Sequence, residues 1–213
     1  MGREDSWSDV DLAFGIKETV ELEHALADWT ARMYAEHGAL HHLDVLSGSW
    51  VYRVFLLPGT LQVDLAFAPA ADFRARAPTF RLLFGAAAEA RHRSPPSAEQ
   101  LTGLAWLYAL HARSSIARGR LWQAEYMVSA VRDHVLALAC LRHGLPESEG
   151  RGMDRLPADV TGPLQAAFVR QLNVGELRRA FGAAIEGLVR EVRIVDGALA
   201  GRLDAALREL AAS

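Results

Sequence analysis

The chain has a single cysteine, Cys140, in 213 residues. That excludes an intramolecular disulfide and a cysteine-built zinc cluster. Cys140 lies in an apolar run over residues 135–141, so a buried, inert thiol is expected. Lysine is almost absent: Lys17 stands alone among many arginines, a bias read as base composition rather than function. The formal charge of −3 supplies no overall basic field, which argues against a nucleic-acid partner. No stretch reaches the ~18 apolar residues of a membrane span. The charged first residues do not form a signal peptide. No membrane partner and a cytoplasmic location are therefore expected. There is no internal repeat and no low-complexity tract. The eight histidines show no His-Glu-x-x-His spacing. Phosphate-loop, nucleophile-elbow and dinucleotide glycine patterns are missing too.

What the chain does have is 51% hydrophobic residues, enough for sizeable cores, and an unusual beginning. In Ser8-Asp9-Val10-Asp11-Leu12-Ala13-Phe14 two carboxylates sit one residue apart inside an apolar run. Alternate side chains of an extended strand share a face, so Asp9 and Asp11 project together and Val10 and Leu12 oppose them. Two like charges about 4 Å apart repel by roughly 4 kcal/mol at an effective dielectric near 20. A divalent cation between them relieves that cost, and hard oxygen ligands suit magnesium. A second apolar strand, Leu61-Gln62-Val63-Asp64-Leu65-Ala66-Phe67, carries a carboxylate at its centre. Three carboxylates on neighbouring strands make a site for phosphoryl or nucleotidyl transfer.

With these residues the chain resembles the DNA polymerase beta-like nucleotidyltransferase superfamily. The signature there is a Gly-Ser turn, an Asp-x-Asp strand and a third Asp on a later strand. Residues 2–11, Gly-Arg-Glu-Asp-Ser-Trp-Ser-Asp-Val-Asp, look like its second half, and Asp64 falls where the third carboxylate belongs. The resemblance implies that Asp9 and Asp11 ligate two magnesium ions and that Asp64 helps hold the catalytic one. It implies a nucleoside triphosphate, ATP by expectation, as co-substrate, and transfer of its nucleoside monophosphate to a hydroxyl of a small molecule. The antibiotic-modifying branch, which joins a small α/β catalytic domain to a helical bundle, suggests an aminoglycoside-like acceptor. The Gly-Ser turn that cradles the triphosphate would precede Gly2, so the chain as written is expected to bind nucleotide poorly. A shortened, inactive binding module of antitoxin type is the alternative reading. A third is nucleotidylation of a protein or an RNA end.

The periodicities predict an α+β chain of two domains, a mixed-sheet nucleotidyltransferase-like domain over 1–94 and a helical bundle over 95–213, with an active cleft between them. In the first, strands are expected at 8–16, 40–46, 50–57 and 61–67, in the order β-α-β-β-β. A helix over 19–37 would be capped by Thr19 and stopped by Gly38. An irregular connector runs from Pro69 to Pro96. Helices are expected at 98–118, 120–143, 163–171, 174–193 and 197–211, with a loop from Gly144 to Pro163 and a capping box at Asn173 and Glu176.

Further site candidates follow from residue type. Glu125 is a charge in an otherwise apolar helix, where helical spacing aligns it with Trp122, Ser129 and Arg132. It is the candidate general base, against an intrahelical pair with Arg132. Arginine forks suit phosphate. Arg3 and Ser8 beside the carboxylate motif, and Arg74 and Arg76 beyond the third-carboxylate strand, are the expected nucleotide-side residues. Arg81 lies in the same connector. Asp44, also an acid in an apolar strand, would replace Asp64 if the strand order differed. A homodimer is the expected assembly, if the chain assembles.

Overall fold

A computed structural model describes residues 7–75, 79–89 and 94–212. The chain divides into two compact units, Met1–Arg93 and Ser94–Ser213. A small mixed sheet makes the first and helices make the second, an α+β architecture.

The first unit runs β1 (Val10–Ile16), α1 (Leu22–His37), β2 (His41–Ser47), β3 (Trp50–Leu56) and β4 (Gln62–Pro69). The strands lie in the order β1-β4-β3-β2. β1 is parallel to β4, whereas the two hairpin contacts, β2 with β3 and β3 with β4, are antiparallel. The α1 crossover permits the parallel pair, since parallel strands cannot be joined by a tight turn.

Alternation gives the sheet two different faces. Phe14, Phe55, Val63, Leu65 and Phe67 point to one side, where Leu26, Trp29 and Met33 of α1 close a core over them. Phe14 meets the Trp29 ring at 4.8 Å and the Phe67 ring at 5.2 Å. Arg53 fastens this side. It donates to both carboxylate oxygens of Asp44 at 2.7 and 2.6 Å and to Thr30 Oγ1 of α1 at 2.6 Å. Its guanidinium holds the Asp44 carboxyl below the usual carboxylate range, chiefly through that hydrogen bond and against a smaller opposing effect of burial. On the other side, Trp50, Ala66 and Ala68 pack with Phe73 from the segment after β4. Phe73 comes so close that a Cβ on Gly15 would lie 2.8 Å from its ring.

The helix ends depart from expectation in one place. α1 starts at Leu22 with Glu21 before it and no side-chain cap, so Thr19 is not the N-cap. Residues 17–20 form a turn instead, closed by Val20 N–H donating to Lys17 O at 2.9 Å. Gly38 does end the helix in a left-handed conformation, and the N–H groups of Gly38 and Ala39 both reach back to Met33 O, Ala39 at 3.0 Å.

The second unit holds α2 (Ala98–Ala117), α3 (Leu121–Arg142), α4 (Ala158–Leu164), α5 (Val174–Val195) and α6 (Gly197–Ala212). Its core gathers small and aliphatic residues from all five, among them Ala109, Val131, Leu138, Leu177, Ile185, Leu188 and Leu207. Ser97 caps α2 by accepting from Gln100 N–H at 3.0 Å. The helix expected at 163–171 lies earlier. α4 begins after Pro157, a single 3-10 turn follows over Gln165–Ala167, and Phe168 is extended. Pro163 thus sits near the end of α4 rather than opening a helix, and Leu164 is buried against Gly187 of α5. The expected capping box is half formed. Asn173 accepts from Glu176 N–H at 2.9 Å, but the Glu176 carboxylate turns to Arg170 N–H and to Arg179. The Arg179 side-chain hydrogen bond, with the Arg170 backbone bond, pulls the Glu176 carboxyl down to about 2. Arg179 also donates to Ala166 O and Phe168 O, which ties the turn after α4 to α5.

Glu191 of α5 is 4% exposed and accepts from Arg142 Nε of α3 at 2.5 Å. Removing one partner of a buried pair leaves the other charge uncompensated. Glu191→Ala is expected to lower stability by on the order of 2 kcal/mol in urea denaturation, less than for a wholly buried pair because Arg142 keeps some solvent. Gly15→Ala forces Phe73 out of contact, and a loss of about 1–3 kcal/mol is expected by the same measurement.

Candidate metal centre

The parallel register of β1 with β4 sets Asp11 directly beside Asp64. Asp9, just before β1, comes to the same side by the two-residue period of extended chain. One carboxylate oxygen from each of Asp9, Asp11 and Asp64 lies within 4.8 Å of the others. The three expected to converge therefore do so, on one face and in one cluster. Asp9 and Asp11 are exposed, and Asp64 is half-buried.

Asp64 is half-buried, with Val54 beside it on β3 and Asp11 beside it on β1. Burial pushes the Asp64 carboxyl above the usual carboxylate range. The Asp9 charge adds to that, while a hydrogen bond from Gln62 opposes it. Gln62 Nε2 donates to Asp64 Oδ1 at 2.9 Å. The sequence reading passed over Gln62, although the signal was present: it stands two residues before Asp64 and so shares its face.

An all-oxygen set of three carboxylates, with two of them open to solvent, matches the preference of magnesium for hard ligands and retained waters. The donor set thus fits a divalent cation of that class.

Asp44 is excluded from this cluster twice over. β2 is separated from β4 by β3, and Asp44 is opposite Arg53 on the face covered by α1. Ser8 is half-buried immediately before Asp9. Arg74 follows the turn after β4, where its Nε donates to Asp72 O at 3.0 Å and its fork lies 3.6 Å from the Asp72 carboxylate. Arg3 and Arg76 lie outside the described residues. Glu125 belongs to the second unit, half-buried on α3, and accepts from Ser129 Oγ at 2.8 Å. The alternative partner, Arg132, instead donates to Asp133 and lies 4.4 Å from the Phe168 ring centre.

The geometry defines a class by itself: a mixed sheet with a three-carboxylate cluster, followed by helices. No protein-family model matches the chain, and no curated protein matches it in sequence. Among solved structures, the chain is similar to an aminoglycoside 6-adenyltransferase from Bacillus subtilis. The TM-score is 0.47 and the identity 11%, over 96% of this chain and 89% of that one.

A carboxylate with a raised folded pKa is disfavoured as an anion in the fold. Asp64 therefore costs stability above that pKa, and the cost is relieved as pH falls through it. Asp64→Asn is accordingly expected to raise the melting temperature in chelator at neutral pH. The wild type should gain stability on adding magnesium or manganese, and the variant should lose that gain. Thermal melts with and without each cation check both halves.

Proposed function

We propose that the first unit is a divalent-cation centre for nucleotidyl transfer from a nucleoside triphosphate to a hydroxyl of a small molecule. The observation that carries this reading is the Asp11–Asp64 register with Asp9 beside it. Three carboxylates held this close are costly without a cation to share. In this arrangement Asp9, Asp11 and Asp64 would hold magnesium, which would supply neutralisation of the triphosphate and of the charge on the attacking and leaving oxygens.

The chain's own residues do the positioning. The rigid parallel pair fixes two of the carboxylates against each other, so little reorganisation is needed as charge develops. Gln62 restrains one Asp64 oxygen through its amide and leaves the other for a ligand. Arg3, Ser8, Arg74 and Arg76 are assigned to the triphosphate side, where guanidinium forks suit phosphate oxygens. The acceptor hydroxyl forms the new bond to the α-phosphorus, pyrophosphate leaves, and the hydroxyl proton goes to a base. Glu125 is assigned that role, because a half-buried carboxylate with one hydroxyl donor keeps lone pairs for a proton. The resemblance to the antibiotic-modifying branch makes an aminoglycoside-like compound the acceptor to try first.

Titration calorimetry of the full chain with ATP and GTP, with and without magnesium, tests the centre. Nucleotide binding that is weak without the Gly-Ser turn but dependent on magnesium is expected, and Asp11→Asn should weaken it further, by at least about tenfold, the scale of losing one ionic contact. Binding that ignores both the cation and the substitution would overturn the metal reading and favour a binding module. Glu125→Gln is expected to lower turnover while leaving cation binding unchanged.

A further inference from the structure

Gln62 stands on β4 two residues before Asp64, so the two side chains share a face of the sheet. The register that sets Val10 beside Val63 and Asp11 beside Asp64 puts Asp9 and Gln62 at the next positions back. The carboxylate cluster is thus bordered by a neutral amide at a position where a fourth acid would continue the pattern. Gln62 Nε2 donates to Asp64 Oδ1 at 2.9 Å. An ionised carboxylate only accepts, so the NH2 arm of the amide must face it and the amide oxygen turns elsewhere. Asp9 and Asp11 are exposed, whereas Asp64 is half-buried. Burial and the amide together make the Asp64 carboxylate the restrained member of the cluster.

That restraint bears on which cation the cluster would accept. The amide engages Oδ1 and resists rotation of the carboxylate plane. For both Asp64 oxygens to grip one ion, Oδ1 has to turn from the amide or share its lone pairs with it. Magnesium makes no such demand. It takes single oxygens at about 2.0–2.1 Å in near-octahedral geometry and keeps several waters. One oxygen from each aspartate would fill half of an octahedron and leave the rest to water or phosphate. Calcium is larger and takes roughly 6–8 oxygens at about 2.3–2.6 Å, often with both oxygens of one carboxylate. From three aspartates, a second oxygen of Asp64 is what calcium would need and what the Gln62 amide withholds.

We propose that Gln62 sets the cation preference of this centre: it is a positioning residue that keeps Asp64 a single-oxygen ligand and so favours magnesium over calcium. The inference rests on the reading of Asp9, Asp11 and Asp64 as a cation centre. It does not depend on which nucleotide or acceptor that centre serves.

Thermal melts of the full chain, titrated separately with magnesium and calcium chloride and without nucleotide, give an apparent affinity for each cation. The wild type is expected to prefer magnesium. Gln62→Met keeps the length of the side chain and removes the donor. It should raise the calcium-to-magnesium affinity ratio about tenfold, the lower end of the effect of losing a group that orients a metal ligand. Gln62→Glu removes the donor and adds a fourth carboxylate, and should raise the ratio at least as far. A contact that only steadied the strand would shift the melting temperature in chelator and leave the ratio alone. Infrared difference spectra on adding calcium give a second readout. The gap between the antisymmetric and symmetric carboxylate stretches narrows when both oxygens bind one ion. That narrowing is expected in Gln62→Met and not in the wild type. A ratio unchanged in both variants would overturn the role of Gln62 and leave the cation centre standing, and so would a wild type that prefers calcium. A wild type stabilised by neither cation would overturn the centre and this inference with it.

Discussion

The parallel pairing of β1 with β4 is the constraint on which the candidate centre depends. It alone places Asp11 against Asp64, since the two acids are far apart in sequence and share no turn or helix. The same pairing sets Ala13 beside Ala66 and Gly15 beside Ala68. These small residues keep the face thin, and Phe73 closes down on the end of it beside Trp50, at 5.9 Å between rings. One end of the face is thus a packed aromatic cluster, and the other is left to the carboxylates. The opposite face carries the burden of stability, with the aromatic and aliphatic side chains of three strands sealed beneath α1. Hydrophobic burial there, at about 25 cal/mol per Å², offsets the like-charge repulsion collected on the other side.

Arg53 shows how the two faces are kept distinct. Its guanidinium reaches Asp44, Thr30 Oγ1 and Leu26 O, so it joins β2, β3 and α1 in one polar knot at the margin of the core. The helical unit uses arginine in the same way. Arg142 meets the buried Glu191 between α3 and α5, and Arg179 ties the turn after α4 to the start of α5. In a chain nearly devoid of lysine, planar forks bridge elements where single ammonium groups would satisfy fewer acceptors at once.

Much of this was readable from local pattern. Alternation in the four strands, the glycine that ends α1, and Asn173 before its helix are short-range signals. The common face of Asp9 and Asp11 is of this kind too, because a period of two needs only extended backbone. Where the reading failed, a competing contact had decided, long-range in one case and local in another. Pro163 reads as a helix start because proline suits the first helical turn. Burial of Leu164 against Gly187 instead holds α4 ahead of it. Glu176 reads as the second half of a capping box, but Arg170 and Arg179 offer its carboxylate better donors.

The amino-acid sequence by itself determined most of the elements, the amphipathic alternation of the sheet and the identity of three carboxylates in apolar strands. Those depend on spacing within a few residues, where backbone geometry leaves little choice. Tertiary structure decided which acids meet. Asp44 and Asp64 have similar strand settings, yet one is neutralised by Arg53 under α1 and the other joins Asp9 and Asp11. Strand order and the phase of the pleat separate them, and both come from packing the whole sheet rather than from any stretch of it.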